Sequence, residues 1–124
     1  MRQFLDTYAL VEILNGNPAY RAELEGAGTS LYHLFELHVQ VARLRDEATA
    51  DEVFSDLPAL AAEVEDADVL AAGRIKRDQP KKRLSYADAL GYAMARQRGI
   101  AFVTGDAAFR GMEGVRFIKG RSRA

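Results

Sequence analysis

The sequence predicts a single α/β domain with helices on both faces of a central parallel sheet of four to five strands, a three-layer α/β/α architecture. Short apolar runs alternate with longer amphipathic segments along the chain, which is typical of parallel strands joined by helices. The chain has 124 residues, 48% of them hydrophobic, so one domain with a buried core is expected. Acidic side chains follow several apolar runs, where an open sheet gathers functional groups.

Five short apolar runs predict the strands. Turn residues or charged residues flank them, as is usual for buried strands of a parallel sheet. The run after Pro58 is short and indicates only a minor strand, which is why the sheet is expected to have four or five. The predicted strands cover residues 3–5, 29–31, 61–64, 100–103 and 115–118.

The amphipathic segments predict the helices. Ser85 is a typical N-cap and Gly99 a typical residue after a helix end, so residues 86–98 form the best-defined helix. The glycine-containing run 26–28 is interpreted as a break between two helical regions. The predicted helices cover residues 7–14, 18 to about 25, about 32–45, 50–54, 66 to about 77, 86–98 and a short turn at 107–110.

The composition excludes several kinds of functional site. The chain has no cysteine, so disulfides, thiolate metal sites and a cysteine nucleophile are ruled out. His33 and His38 are five residues apart and do not share one face of a helix, which argues against a histidine metal site. The longest apolar stretches are far shorter than the ~18 residues that span a bilayer. We therefore expect a cytoplasmic protein without a membrane partner.

Charge is distributed unevenly along the chain. Residues 1–68 carry 4 basic and 14 acidic side chains, whereas residues 69–124 carry 13 basic and 4 acidic ones. Such asymmetry indicates an anionic partner, and nucleic acid is the candidate. The alternative is that the basic clusters are solvated helix faces and that residues 119–124 are a mobile basic tail. The candidate nucleic-acid-binding residues are Lys81, Lys82, Arg83 and Arg110.

Four acids stand where apolar runs give way to helices: Asp6, Glu36, Asp88 and Asp106. Asp6 and Asp106 each have a local explanation as helix caps, and Asp88 fits a capping box, whereas Glu36 lies within a predicted helix. Asp6 and Asp106 both follow predicted strands, so their carboxylates are expected at the same edge of the sheet. Carboxylates without His or Cys suit Mg²⁺ or Mn²⁺ better than zinc.

Three hydroxyl side chains accompany these acids. Thr7 follows Asp6, Thr104 stands two residues before Asp106, and Ser85 stands three residues before Asp88. Hydroxyls in such positions can orient a carboxylate or a water held by a metal. We therefore include Thr7, Thr104 and Ser85 as supporting residues of the candidate site.

Four motifs follow one another along essentially the whole chain. They are Phe4-Leu5-Asp6-Thr7, Glu36 in the helix after Thr29-Ser30, Leu84-Ser85-Tyr86-Ala87-Asp88-Ala89-Leu90, and Phe102-Val103-Thr104-Gly105-Asp106 with Phe109 behind it. This ordered set resembles the PIN-domain ribonucleases and, within that family, the VapC-type toxins of toxin-antitoxin pairs. The resemblance implies a PIN-like three-layer α/β/α domain over residues 1–124.

The resemblance implies a function as well as a fold. It implies that the four acids form the catalytic pocket of a Mg²⁺-dependent endoribonuclease, the toxin of a type II toxin-antitoxin system, in which a metal-activated water hydrolyses RNA. Asp6 and Asp88 would be direct Mg²⁺ ligands, with Asp106 and Glu36 as candidates for further coordination, directly or through water. A cognate antitoxin and a homodimer are also implied. Tyr8 departs from the family, which usually has a small polar residue there.

Two other functions remain open from the residues alone. The same fold could serve as a non-catalytic partner-binding module whose acidic pocket receives a basic peptide. A receiver-like phosphoacceptor centred on Asp6 is less well matched, because Lys119 only loosely occupies the position of the lysine that such a site needs. Four aromatic residues are interpreted as core or interface residues rather than base-stacking platforms: Tyr32, Tyr86, Tyr92 and Phe102.

Overall fold

The computed structural model describes residues 1–121, apart from the side chain of Pro58. None of the helices in this part of the chain is long and apolar enough to cross a membrane. The strands are β1 Gln3–Leu5, β2 Ala27–Gly28, β3 Ala101–Thr104 and β4 Val115–Phe117. The helices are α1 Thr7–Leu14, α2 Pro18–Arg21, α3 Leu31–Leu44, α4 Glu47–Asp56, α5 Asp66–Asp78 and α6 Tyr86–Arg98. Short 3₁₀ turns cover Pro58–Leu60, Pro80–Lys82 and Ala107–Phe109.

The four strands form one parallel sheet in the order β2-β1-β3-β4. Successive side chains of a strand point to opposite faces, and the two faces carry separate apolar cores. Leu5 and Val103 pack with α1, α3 and α4 on one face. Phe4 and Phe102 pack with α6 and Phe109 on the other. The predicted parallel sheet between two helical layers is confirmed, with four strands.

The strand predicted at 29–31 is wrong in position. The second strand is Ala27–Gly28, within the run interpreted as a break. A Cβ on Gly28 would lie 2.1 Å from Sδ of Met1, so glycine allows the close approach of this strand to the amino terminus. Thr29 forms only an isolated bridge to Ala61, and this bridge is all that the structure contains of the minor strand predicted at 61–64.

Three helices also differ from their predicted bounds. The second helix ends at Arg21 rather than near residue 25, because the chain turns there to enter β2. The fourth helix is longer than predicted, since the exposed Asp46 caps it by accepting a hydrogen bond from the Thr49 amide at 2.7 Å. Helix α3 begins one residue earlier, at Leu31, with Ser30 as its N-cap. Side-chain caps therefore fixed two of the boundaries that periodicity left open.

The predicted mobile tail is described only through Arg121. The backbone N–H of Arg121 donates to Oε1 of the buried Glu12 at 3.0 Å. Its guanidinium donates to the carbonyl of Gly16. Residues 122–124 lie outside the described residues, whereas the segment before them contacts α1 and the turn that follows it.

A buried ion pair joins α5 to α6. Asp68 has no exposed surface, and its carboxylate accepts hydrogen bonds from the guanidinium of Arg98 at 2.9 and 3.1 Å and from the backbone N–H of Glu65 at 2.8 Å. Burial alone would raise the pKa of Asp68, but the hydrogen bonds from Arg98 and Glu65 hold it below its usual value. The pair therefore stabilises the fold at neutral pH and loses that effect as acid protonates Asp68.

We predict that Arg98→Met lowers the free energy of unfolding at neutral pH by about 3 kcal/mol, because it leaves the Asp68 carboxylate buried and unpaired. Arg96→Met is the matched control, since Arg96 pairs with the exposed Glu113 and should cost less than about 1 kcal/mol. Urea unfolding followed by circular dichroism measures both. Equal losses in the two variants would contradict a special role of the buried pair.

Candidate active site

The four predicted acids line one cleft at the carboxyl edge of the sheet. Asp6 directly follows β1, Asp106 follows β3, Glu36 lies on α3 and Asp88 on the first turn of α6. The cleft has a volume of about 230 Å³. Its lining residues are Asp6, Thr7, Tyr8, Val11, Glu36, Gln40, Ser85, Asp88 and Asp106. The structure thus brings together acids that are up to 100 positions apart in the sequence.

Asp6 is the most deeply buried of the four, with 3% of its surface exposed. It caps α1, because its Oδ1 accepts a hydrogen bond from the Ala9 amide at 2.8 Å. Its Oδ2 accepts a hydrogen bond from the Thr104 hydroxyl. The Thr104 hydroxyl oxygen in turn accepts from the Asp106 amide at 3.0 Å. Thr104 therefore joins the two strand-end acids through a single side chain.

The other two acids are also held by hydroxyl residues. Thr7 donates to Oε1 of Glu36 at 2.6 Å, which ties α1 to α3. Ser85 and Asp88 form a capping box, in which the side chain of each accepts a hydrogen bond from the backbone N–H of the other. All three predicted supporting residues, Thr7, Thr104 and Ser85, thus contact an acid of the cleft. These hydrogen bonds orient the carboxylates, and each carboxylate keeps lone pairs that the bonds do not use.

The site disfavours negative charge on at least two of its acids. Burial raises the pKa of Asp6 to about 7, and the charges of Asp88 and Asp106 add to the rise, although the hydrogen bonds from Thr104 and Ala9 oppose it. Burial also raises the pKa of Asp88, with a further contribution from Asp106. No basic side chain is among the described residues that line the cleft. A bound cation would remove this penalty.

The donor set fits a hard divalent cation, although the carboxylates do not form a ready-made cage. Within residues 1–121, no group of three or more His, Cys, Asp or Glu side chains is arranged to hold a metal ion. Asp6 and Asp106 each use one oxygen to cap the segment that follows, and Asp88 completes the capping box of α6 with Ser85. Oxygen-only ligands on a partly open cleft nonetheless suit Mg²⁺, which keeps several of its waters.

Tyr8 and Gln40 line the cleft but were not assigned a site role from the sequence. The half-buried Tyr8 ring lies against Gly105, where an added Cβ would come within 2.3 Å of the ring, and Gly120 also packs against it. Tyr8 therefore forms a wall between the cleft and the C-terminal segment. Gln40 stands four residues after Glu36, on the same face of α3, and helical spacing alone could have identified it.

The candidate RNA-binding residues differ in whether their side chains already contact other parts of the protein. Lys82 donates to the Ala108 carbonyl at 3.1 Å, and Arg110 lies over the Phe117 ring at 4.4 Å. Lys81 and Arg83 are exposed and form no ion pair within the described residues. Three other arginines of the basic half are paired with acids: Arg96, Arg98 and Arg116. The free positive charge is therefore smaller than the sequence count indicates.

The sequence-based interpretations of the histidines and aromatic residues can be compared with the structure. His33 is buried beside Ser30, whereas His38 pairs with Asp51 on the surface, and the two do not meet. Tyr92 and Phe102 are core residues, as predicted. Tyr32 and Tyr86 are 56% and 83% exposed, so neither is a core residue.

Removal of the Asp6 charge should stabilise the metal-free protein above neutral pH. The folded chain binds the Asp6 proton more tightly than the unfolded chain, whose pKa is near 3.8. The free energy of unfolding therefore falls as pH rises from about 4 to about 7 and stays low above that. We predict that Asp6→Asn, which keeps the helix cap, is more stable than wild type at pH about 8 by roughly 2–4 kcal/mol.

Urea unfolding in the presence of EDTA at about pH 4 and about pH 8 measures this difference. Asp56→Asn, at the exposed end of α4, is the matched control and should change stability little at either pH. Loss of stability in Asp6→Asn at the higher pH would contradict the predicted cost of the buried charge.

Comparison with known proteins agrees with this architecture. The family model of the PIN domain matches residues 4–115 of the chain, a span that includes all four acids. No curated protein sequence matches the chain significantly.

Solved structures of toxin-antitoxin proteins share the fold. VapBC2 from Rickettsia felis, bound to a DNA fragment from its promoter, superposes with a TM-score of 0.74 at 16% identity, over 98% of this chain and 100% of that chain. VapBC-5 from Mycobacterium tuberculosis gives 0.67 at 23% identity, over 95% and 98%. VapC20 from M. tuberculosis, described as a sarcin-ricin loop cleaving toxin, gives 0.69 at 20% identity, over 97% and 99%. With the family model covering most of its length, this chain belongs to the PIN domain family.

Proposed function

We propose that this protein is a Mg²⁺-dependent endoribonuclease of the VapC type, the toxin component of a type II toxin-antitoxin system. The observation that carries the proposal is the convergence of Asp6, Glu36, Asp88 and Asp106 on one cleft at the carboxyl edge of the sheet. Membership of the PIN family and the likeness of the fold to VapC toxins support it. The cytoplasm, where cellular RNA is found, is the proposed place of action.

We assign Asp6 and Asp88 as the direct metal ligands, with Glu36 and Asp106 coordinating directly or through water. When bound, Mg²⁺, or Mn²⁺ in its place, would activate a water molecule as nucleophile and neutralise negative charge on the phosphodiester. Asp6 suits the role of a fixed ligand, because Ala9 and Thr104 orient both of its oxygens. Its ionised form is unfavourable without a cation, so the cleft favours cation binding as soon as Asp6 loses its proton.

The chain's own residues would also handle the proton of the attacking water. Glu36 and Asp106 are only partly buried, whereas Asp6 is nearly inaccessible to solvent. A group that accepts a proton and returns it to solvent needs such access. We therefore assign Glu36 and Asp106 as the proton-accepting pair, with Thr7 holding one oxygen of Glu36 and leaving the other available.

We propose that Lys81, Lys82, Arg83 and Arg110 hold the RNA backbone. Lys81 and Arg83 are exposed and supply charge that no acid in the described part of the chain neutralises. Lys82 keeps two N–H groups beyond the one that it donates to Ala108. Contacts of this kind position a nucleic acid without reading its sequence.

An antitoxin that inhibits the enzyme would need to cover or enter the acidic cleft. A basic segment is the chemistry that the cleft favours, and an arginine guanidinium matches a carboxylate in charge and shape. The alternative function, a non-catalytic module that binds a basic peptide, uses the same cleft. Metal-dependent cleavage of RNA is the property that separates the two.

We predict that the purified protein cleaves total cellular RNA with Mg²⁺ and not with EDTA. Asp6→Asn and Asp88→Asn should each lower the cleavage rate at least about a hundredfold, since each removes a proposed ligand of the metal that activates the nucleophile. Asp56→Asn and Glu52→Gln, exposed on α4, are the charge-matched controls and should cleave like wild type. Gel analysis of end-labelled RNA gives the rates.

Two outcomes of this experiment would contradict the proposal. Cleavage that persists in Asp6→Asn and Asp88→Asn, with both variants folded, would exclude the proposed site. Peptide binding without any cleavage of RNA would favour the partner-binding module instead.

We also propose that the protein forms a homodimer. Helices α3 and α5 expose large apolar side chains, with Phe35 65%, Leu70 63% and Val69 55% exposed, and burial of such side chains favours association. Light scattering coupled to size-exclusion chromatography should give about twice the 13.7 kDa mass of one chain. A mass of one chain at micromolar concentration would contradict the proposal.

A further inference from the structure

His33 is a buried polar residue that has no assigned role in the proposed RNA cleavage. It lies on the first turns of α3, three residues before Glu36, and only 1% of its surface is exposed. Its ring stands edge-on to the ring of Phe4, with 5.1 Å between the centroids. Its Nε2 is the one buried side-chain N or O atom within the described residues that has no hydrogen-bond partner.

The hydrogen bonds of Ser30 indicate which ring nitrogen carries the proton. The Ser30 hydroxyl oxygen accepts from the His33 backbone N–H at 3.2 Å and lies 2.6 Å from Nδ1 of the His33 ring. Donation of the hydroxyl proton to Nδ1 satisfies both groups and places the ring proton on Nε2. The ring is neutral at physiological pH, because burial lowers the pKa of His33 to about 4. The unpaired group is therefore an N–H donor.

This N–H faces the first turns of α6. A Cβ built on Gly91 would lie 2.6 Å from Nε2 and 2.7 Å from Cε1 of the ring, so the imidazole lies directly against the backbone of α6. The Ala87 carbonyl interacts with the ring and raises the pKa of His33, although burial outweighs it, but the contact does not reach ordinary hydrogen-bond geometry. Ala87 and Gly91 stand one residue before and three residues after Asp88.

Two unfavourable features thus meet at one contact between the helices that carry Glu36 and Asp88. Glycine inside a helix is less stable than alanine, and a buried N–H whose nearest acceptor, the Ala87 carbonyl, lies outside ordinary hydrogen-bond geometry regains little of its lost hydration. An apolar side chain against an alanine would fill the same space without either cost. A role in the cleft, rather than in packing alone, explains why both are present.

We propose that His33 is a positioning residue for the acidic cleft: its ring holds the first turn of α6, and with it Asp88, at the spacing from Glu36 that binding of a divalent cation requires. The inference rests on the proposed function, since it takes the cleft to be a cation site. His33 itself contacts neither the cation nor the RNA. Its effect passes through Ala87 and Gly91 to Asp88.

The test is Mn²⁺ binding to the full chain, measured by the electron paramagnetic resonance signal of free Mn²⁺, together with thermal unfolding in EDTA. His33→Leu keeps the volume but removes both ring nitrogens. Because the buried Ser30 hydroxyl then loses its acceptor, His33→Leu should unfold somewhat earlier than wild type without metal, but no earlier than Ser30→Ala, which removes the same hydrogen bond. It should nonetheless bind Mn²⁺ at least about tenfold more weakly, as is usual when a residue that orients a metal ligand is lost. His33→Gln restores a donor near the Nε2 position and should recover most of the affinity.

Two further variants complete the design. His38→Gln changes the surface histidine and should bind Mn²⁺ like wild type. Gly91→Ala improves helix propensity but pushes on the ring, so it should also weaken Mn²⁺ binding. If His33 acted on stability alone, Mn²⁺ affinity would fall only as far as the unfolding temperature falls. Loss of Mn²⁺ affinity in His33→Leu beyond that of equally destabilised variants separates the two quantities.

The outcomes distinguish this inference from the proposed function. Wild-type affinity in His33→Leu would overturn the positioning role and leave the nuclease proposal intact. Mn²⁺ binding that depends on His33, in a protein that cleaves no RNA, would support the positioning role and overturn the nuclease. Absence of Mn²⁺ binding in the wild type would overturn both.

Discussion

The burial of the Asp6 carboxylate is the constraint on which the site and much of the fold depend. Asp6 directly follows β1, caps α1 and accepts a hydrogen bond from Thr104 at the end of β3. One side chain thus joins a strand, the helix that follows and the neighbouring strand. Asp88 and Asp106 add negative charge near this buried group. The arrangement that organises the sheet edge therefore also makes the ionised carboxylates unfavourable unless a cation is bound.

The acids of the cleft have a part in the fold as well as in the proposed chemistry. Asp6, Asp88 and Asp106 are all caps, so replacement by an apolar residue would disturb the chain locally as well as remove a charge. Glu36 differs, because it lies within α3 and, among the described residues, accepts a side-chain hydrogen bond from Thr7 alone. The capping interpretation and the catalytic interpretation of an aspartate are therefore compatible at this edge.

The sequence was sufficient for the layers of the fold and for the set of acids, since both depend on local pattern. Leu5 and Phe102 stand in apolar runs that any parallel sheet would bury, and Asp6 and Asp106 follow directly. The position of β2 was not predictable, because it depends on the contact of Gly28 with Met1, which no periodicity records. The partners of the basic residues were not predictable either, because they depend on tertiary contacts. Arg98, for example, contacts Asp68 only when α5 and α6 pack together.

The edges of the sheet bear on how copies of this molecule can meet. Strand β4 is an edge strand of three residues, and its central residue, Arg116, carries an exposed charge paired with Glu23. At the other edge, Thr29 beyond β2 is bridged to Ala61. Short, charged or covered edges are poor templates for adding a strand from another molecule. The proposed homodimer would therefore use helical surfaces, and the open sheet is protected against the edge-to-edge growth that leads to aggregation.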